Sequence, residues 1–417
     1  MLQLRAASRP RKRKERVRIG LAVAGGGPIG GMYELGALRA LDEAVDGFDP
    51  TALDVYVGVS SGAFVAAGLA NGLDTAEMCR IFVTGESAQA TFRPETFLRP
   101  AFYEYARRAA GLPRMLWRWA GDFARNPFHL RASDAMLRLG SMLPTGLFDN
   151  AAVERFLVDL FNTGGRSDDF RALRTSLYIV AVALDSGEAV RFGADGHDHV
   201  PISRAVEASA ALPGLYPPVE IDGRYYVDGA LRRTLHASVA LDAGADLVFG
   251  INPLVPFDAP RAEANGKALP GTLLDGGLPA VLSQTFRTLL QSRVETGVSR
   301  YAERYRHADV ALIEPNPDDV EMFFTNVFSY AHRKRLAEHA YQTTRADLSA
   351  RRDELAPLLA RHGLELRSDV IEDRERTLAD GLRNGRTRAT ARLGGALDDL
   401  GGMLRARKTA TRSRPPA

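Results

Sequence analysis

The chain has 417 residues, of which 45% are hydrophobic and 25% charged, so it can bury a large core as one main domain with appendages. A single cysteine, Cys79, excludes an intramolecular disulfide framework and cysteine-rich metal sites, and it indicates a reducing compartment such as the cytoplasm. The 54 basic residues nearly balance the 51 acidic ones, and with a net charge of +3 no nucleic-acid partner is expected.

Positive charge is concentrated near the N-terminus. Seven arginines and lysines lie between Arg9 and Arg18, and Glu15 is the one acid in this run. No apolar segment follows that would form a secretory signal, and no stretch of the chain approaches the roughly 20 apolar residues of a membrane span. We therefore expect residues 1–16 to form a basic arm, either solvated or lying against anionic headgroups at the inner face of the membrane.

Two strand–loop–helix units follow the arm. Their strands are predicted at Val17–Val23 and Leu53–Val59, and their helices at Tyr33–Ala44 and Ala63–Ala70. Units of this kind in succession predict an α/β fold with a mainly parallel central sheet between layers of helices.

In the first unit, the loop between strand and helix consists of Gly25, Gly26 and Gly27, which follow the strand and begin the helix. Their backbone amides can converge on an anion because no side chains stand in the way. Gly25, Gly27 and Gly30 also fit the dinucleotide pattern G-x-G-x-x-G. Pro28 weakens that alternative because it removes one amide donor, and the second strand lacks the acidic residue that would bind the ribose.

In the second unit, the turn between strand and helix contains Ser60, which forms the pattern G-x-S-x-G with Gly58 and Gly62. This pattern between a buried strand and a helix is typical of a nucleophile elbow, in which a strained serine is presented above the strand ends. The helix that follows would favour developing negative charge at its N-terminus. The alternative is an ordinary glycine-bounded turn in which Ser60 caps the helix.

An aromatic and basic stretch, residues 92–148, follows without strand patterns and predicts a helical insertion. Its rings could cover the site as a cap, because Trp and Tyr favour the boundary between apolar and wet surroundings, or could pack the insertion onto the core. The rings concerned include Phe97, Phe102, Tyr103, Trp117, Trp119, Phe123 and Phe128.

A base for Ser60 is best sought in Asp228, at the end of a predicted hairpin over Glu220–Val227. Gly229 follows it, so the turn would present the carboxylate at a strand end, although an Asx-turn has the same pattern. None of the eight histidines lies in a comparable position. His197 and His199 have too few neighbouring ligands to indicate a metal site.

The rest of the chain is predicted to form further strands and long helices, followed by a tail. Strands are predicted at Leu177–Leu184, Leu247–Ile251 and Val310–Ile313, and long helices at Ala280–Tyr305 and Arg333–Leu359. The main domain is therefore expected to span residues 17–362. The tail, residues 363–417, carries leucines on one helical face among arginines and glycines, which indicates either a disordered segment or one that docks on a membrane or lipid granule.

The order of these motifs resembles the patatin-like phospholipase family over roughly residues 17–255. The glycine loop, the serine elbow, and the segments Ala208–Pro218 and Ile221–Ala230 all match in sequence order. The resemblance implies a lipid acyl hydrolase with a Ser60–Asp228 dyad, oxyanion donors at Gly26 and Gly27, and no metal or organic cofactor. Ser60 would form an acyl-enzyme, and Asp228 would serve as base in both half-reactions.

Three departures from the family pattern bear on activity. Ile29 stands where Arg or Lys is usual, Ala230 where Gly is usual, and Thr234 and His236 near the usual Asn and Pro. They affect the charge beside the glycine loop and the support of the Asp228 turn. A catalytically silent lipid-binding or granule-binding protein of the same fold is therefore the alternative function.

Overall fold

The computed structural model describes residues 1–8, 16–101, 117, 144–269, 271–325 and 332–383. The strands are β1 Leu2–Arg5, β2 Ile19–Val23, β3 Val45–Asp46, β4 Val55–Gly58, β5 Ser176–Ala183, β6 Ala189–Phe192, β7 Val219–Ile221, β8 Arg224–Asp228, β9 Leu247–Ile251, β10 Asp309–Ile313 and β11 Glu365–Leu366. The helices are α1 Gly27–Ala44, α2 Ser61–Ala70, α3 Thr75–Met78, α4 Pro94–Phe97, α5 Ala151–Phe161, α6 Ile202–Ser209, α7 Ala237–Asp242, α8 Ala259–Ala264, α9 Gly277–Arg304, α10 Val320–Phe324, α11 Arg333–Ala350, α12 Arg352–Ala360, α13 Ser368–Ile371 and α14 Leu378–Arg383.

The central sheet has the strand order β1-β10-β9-β2-β4-β5-β8-β7, with β6 also paired to β5. The five strands from β10 to β5 are parallel, whereas β1, β6, β7 and β8 pair antiparallel with their neighbours. The predicted α/β class with a mainly parallel sheet is confirmed. Parallel strands bring their carboxyl ends to one edge, which here places the loops after β2 and β4 side by side.

The register across β4, β5 and β8 sets the height of the functional residues. Gly58 at the end of β4 is opposite Ile179 of β5, and Asp228 at the end of β8 is opposite Ala181, two residues further along β5. Ser60 lies two residues beyond Gly58. The serine and the aspartate therefore reach the same level of the sheet from strands on either side of β5.

Helices cover both faces of the sheet. On one face, buried residues such as Ala22, Val57 and Val248 pack against α7 and α9. The residues that alternate with them, including Leu21, are also buried, as expected for a parallel sheet enclosed between helical layers.

The N-terminal segment departs from the predicted arm. Leu2–Arg5 form β1 and pair antiparallel with β10, so the sheet includes residues that the sequence assigns to the arm over 1–16. Leu2 is buried and anchors this edge strand. Four residues beside a basic run are too short a pattern to identify a strand, and the core of that run, residues 9–15, lies outside the described residues.

The C-terminal boundary also differs from the prediction near residue 362. One compact unit extends over Met1–Leu378, because β11 pairs with β3 and α13 packs against α1 and α11. A two-residue strand and a one-turn helix have no readable period, so the sequence could not show them. A second unit comprises Ala379–Ala417, and most of the predicted tail, residues 384–417, lies outside the described residues.

Within the described residues, no helix combines the length and the apolar character needed to cross a bilayer.

Candidate active site

Ser60 occupies a sharp turn between β4 and α2. Its backbone angles are φ 52° and ψ −120°, a conformation that L-residues rarely adopt and that costs about 1–3 kcal/mol. The turn can pack this closely because the residues that flank Ser60 in the elbow, Gly58 and Gly62, have no side chain. A Cβ on Gly58 would lie 2.6 Å from Ala63 Cα, and one on Gly62 would lie 2.4 Å from the Val23 carbonyl oxygen. The two glycines predicted to form the elbow therefore lie where no side chain has room.

A buried serine on α6 fixes the turn from the other side. The Ser60 backbone amide donates to Ser209 Oγ at 2.9 Å, and the Ser209 hydroxyl donates to the Val180 carbonyl of β5 at 2.6 Å. Ser209 thus ties the strained turn to the central sheet. The sequence shows Ser209 only as part of the segment Ala208–Pro218, and nothing in the sequence places it beside Ser60.

Asp228 lies beside Ser60, as the register requires. The Ser60 side chain lies beside the Asp228 carboxylate, and the Ala230 amide donates to Asp228 Oδ1 at 2.8 Å. Burial raises the pKa of Asp228 to about 6, and the Ala230 amide and the Ser60 side chain oppose the rise. A carboxyl group with this pKa is mostly ionised at neutral pH and accepts a proton more readily than an exposed aspartate.

The Asp228 turn is supported by backbone packing and a histidine. A Cβ on Gly229 would lie 2.2 Å from the Val180 carbonyl oxygen, so this position has no room for a side chain. The His236 ring is buried close to the backbone of Gly229 and Arg233, and burial lowers its pKa to about 4. His236, one of the departures from the family pattern, is therefore a neutral support of the turn.

The glycine loop passes directly beside the elbow. A Cβ on Gly25 would lie 2.9 Å from Ser60 Cβ, and one on Gly26 would lie 2.4 Å from Pro253 Cγ. Gly27 has a positive φ of 63° at the start of α1. Among the described residues, the Gly25 and Gly27 amides meet no acceptor, so both can donate to an anion.

The Gly26 amide already has a hydrogen-bond acceptor, contrary to the oxyanion role that the resemblance implies for it. It donates to Ser61 Oγ at 2.9 Å, and the Ser61 hydroxyl donates to Glu34 Oε1 at 2.8 Å. Burial raises the pKa of Glu34 well above its usual range, which favours the neutral form of its carboxyl. In this conformation Ser61 takes the amide that the resemblance assigns to the oxyanion. The role of Glu34 could not be predicted from the sequence, because a single acid on an apolar helix belongs to no motif.

A mainly apolar pocket of about 130 Å³ opens at Ser60. Phe82, Phe92 and Phe97 line it and form edge or tilted ring contacts with one another or with Phe156. The Tyr216 hydroxyl donates to the Phe97 carbonyl at 2.9 Å and so fixes one wall. The pocket therefore presents the serine at the end of an aromatic, water-poor cleft.

The predicted insertion over 92–148 contributes its first residues to this pocket. Phe92 and Phe97 lie in the pocket wall. Residues 102–116 and 118–143, which carry most of the other rings, lie outside the described residues, so the cap remains a prediction. His199 pairs with the exposed Asp222 at 2.9 Å, and His197 contacts the Phe192 ring.

Comparison with known proteins identifies a family and a curated relative. Residues 21–241 match the patatin-like phospholipase family. A curated relative, lysophospholipase NTE1 of Phaeosphaeria nodorum, is 25% identical over 257 residues, which cover 61% of this chain and 13% of that protein. The chain thus corresponds to a small part of this relative.

Solved structures with partial similarity include bacterial and human proteins. VipD of Legionella pneumophila aligns with 15% identity and a TM-score of 0.35 over 81% of this chain and 67% of its own. Human GIVD cytosolic phospholipase A2 aligns with 14% identity and a TM-score of 0.29 over 81% and 59%. Since the family match covers more than half of the sequence, including Ser60 and Asp228, this chain belongs to the patatin-like phospholipase family.

Proposed function

We propose that this protein is a lipid acyl hydrolase in which Ser60 is the nucleophile and Asp228 is the general base. The observation that carries the proposal is the placement of the Ser60 side chain beside the buried Asp228 carboxylate, on a strained turn that opens onto an apolar pocket. Family membership supports the same chemistry.

The reaction would proceed in two half-reactions. Ser60 Oγ attacks the acyl carbonyl while Asp228 accepts the hydroxyl proton, which gives a tetrahedral intermediate. Asp228 then donates this proton to the departing alcohol or lysolipid, and an acyl-enzyme remains. Water attacks the acyl-enzyme, again with Asp228 as base, and the fatty acid is released as Ser60 is reprotonated.

The negative charge of the intermediate would be stabilised by backbone donors. The Gly25 and Gly27 amides are the available donors of the glycine loop, and the N-termini of α1 and α2 both lie at this point. The Gly26 amide would join them only by leaving Ser61 Oγ. These donors also fit the acyl-transfer interpretation of the loop better than the dinucleotide one.

The substrate class we infer is an acyl ester of a phospholipid or a neutral lipid. The aromatic pocket wall suits an acyl chain because burying apolar surface drives its binding. The compartment we infer is the cytoplasm, since the single cysteine is fully buried and serves as a small apolar side chain.

Two substitutions test the dyad. We expect Ser60→Ala and Asp228→Asn to lower the release of fatty acid from labelled phospholipid by at least roughly 10³-fold each. The matched controls are Ser186→Ala and Asp222→Asn. The first alters an exposed serine in the turn between β5 and β6, and the second an exposed aspartate in the turn between β7 and β8. Folding of each variant is checked by thermal unfolding. Folded variants that retain wild-type turnover would rule out the dyad.

A silent lipid-binding protein of the same fold is the second candidate. It is favoured by the engagement of the Gly26 amide with Ser61 and by Ile29, which is buried in α1 where the family usually has a cation. This candidate predicts that no fluorophosphonate labels Ser60. It also predicts that vesicle binding survives in Ser60→Ala and is lost when both basic ends are trimmed.

A further inference from the structure

Helix α9 packs one face onto the loops beside the active site. Its buried face includes Leu290 and Val294, and the Arg287 guanidinium donates to the Val255 carbonyl at 3.1 Å. Arg293, at the edge of this face, donates to the Leu231 carbonyl at 2.8 Å, three residues beyond Asp228. The helix is thus fixed in place by its inner face.

The outer face of α9 begins with a stripe of exposed leucines. Leu278 is 69% exposed, and Leu282 and Leu289 are each 57% exposed. Leu274, just before the helix, is 76% exposed. At 3.6 residues per turn, the three helical leucines lie within about 40° of one another, opposite the buried face. A contiguous exposed apolar stripe of this kind marks an interaction surface.

The same outer face continues into a groove lined by arginines. The groove has a volume of about 740 Å³, and its lining includes Arg232, Arg233, Arg293, Arg300 and Arg304. Among the described residues that line it, none is acidic; the nearest acid in contact is Asp242, 3.1 Å from Arg304. Five arginines against this one acid leave the groove with a net positive charge next to the leucines.

The leucines and arginines share one continuous strip. Arg300, Thr296 and the exposed Glu303 fall within about 60° of the three leucines around the helix axis, and the strip from Leu278 to Arg304 is about 39 Å long. Arg304 lies at the edge of this strip, about 80° from Leu278. The groove arginines outnumber Glu303, so the basic half keeps a net positive charge. An apolar half followed by a basic half complements a lipid bilayer with anionic headgroups, because leucines can enter the acyl boundary while arginines meet phosphates. A soluble phosphate would contact only the basic half, and a neutral apolar partner would contact only the leucine half.

We propose that the outer face of α9 is a docking surface for anionic lipid membranes. We define this α9 face by Leu278, Leu282, Leu289, Arg300 and Arg304. Docking here does not depend on the hydrolytic chemistry at Ser60, and it places the membrane contact within the folded domain and not in the basic termini.

Vesicle co-sedimentation of the full chain tests the proposal. The vesicles are phosphatidylcholine alone or phosphatidylcholine with phosphatidylserine. We expect preferential binding to the anionic vesicles, weakened at least about tenfold by the triple substitution of Leu278, Leu282 and Leu289 with Ser. Arg300→Ala should weaken it about fivefold. The controls are Leu147→Ser and Arg374→Ala, exposed residues elsewhere on the domain, which should bind as the wild type does.

Three outcomes would overturn the proposal. The first is unchanged vesicle binding in the α9 variants, including the case in which removal of residues 384–417 abolishes it. The second is equal binding to both vesicle types. The third is a self-associating protein that becomes monomeric in the leucine variant, which would assign the stripe to a second copy. Hydrolysis of a short-chain soluble ester is measured in parallel and should be unchanged in these variants, so that failure of docking and failure of the proposed hydrolase are distinguished.

Discussion

The active-site turn and the outer face of α9 are neighbouring regions built in opposite ways. Around Ser60, positions such as Gly58, Gly62 and Gly229 have no room for even one added carbon, and the functional groups are held by backbone contacts. On the α9 face, large apolar and basic side chains project into solvent. Substitutions in the first region should therefore change folding or chemistry, whereas substitutions in the second should change what the protein binds and should alter stability only slightly.

The largest effect is expected at Gly62. Gly62→Ala would place a carbon 2.4 Å from the Val23 carbonyl oxygen, between β2 and the elbow, where neither backbone can yield. We expect the free energy of unfolding to fall by about 3 kcal/mol or more. Urea unfolding measures this change. An alanine variant as stable as the wild type would mean that the elbow is not packed against β2.

Asp228→Asn should raise stability while it abolishes activity. The folded-state pKa of about 6 lies above the unfolded value of 3.8, so the folded protein binds more protons between these values and wild-type stability falls as pH rises through that window. Removing the ionisable group should therefore stabilise the protein by about 3 kcal/mol at pH 8, and the gain should vanish toward pH 4. Urea unfolding at both pH values checks this. A variant less stable than the wild type at pH 8 would contradict it.

Two substitutions of Glu34 should differ in their effect on stability. Because burial favours the neutral form of its carboxyl, Glu34→Gln keeps the shape and the acceptor for Ser61 and should change stability by less than about 1 kcal/mol. Glu34→Ala leaves a cavity and an unpaired Ser61 hydroxyl and should cost about 2–4 kcal/mol. Thermal unfolding distinguishes the two. Equal damage from both substitutions would mean that Glu34 is ionised.

The smallest effect is expected on α9. Gly297→Ala adds a carbon whose nearest neighbour is Tyr301 Oη at 3.5 Å, an ordinary contact. Since alanine favours a helix interior over glycine, we expect a gain of about 0.5–1 kcal/mol. A thermal shift opposite in sign to that of Gly62→Ala would confirm the contrast between the two regions, and a loss would contradict it.

The sequence predicts the parts of the site that depend on local geometry. Ser60 and the glycines around it form a strand–turn–helix pattern, and Asp228 follows a hairpin that Asp222 and Gly223 mark. Both patterns arise from backbone preferences of neighbouring residues.

Other functional features could not be predicted because they depend on tertiary packing. Ser209 and Glu34 act through residues that are distant in sequence, and their own neighbours are ordinary helix formers. The α9 face has the spacing of an amphipathic helix, so its leucines resemble core residues. Only the fold shows that α9 buries the opposite side.

The most direct test of the central claim is the rate at which a fluorophosphonate probe labels Ser60, measured against pH in the wild type and in Asp228→Asn. If Asp228 activates Ser60, labelling should map to Ser60, rise with pH to a plateau with a midpoint near 6, and be nearly absent in the variant. Labelling that maps to another serine, or that is equally fast in Asp228→Asn at every pH, would contradict the account.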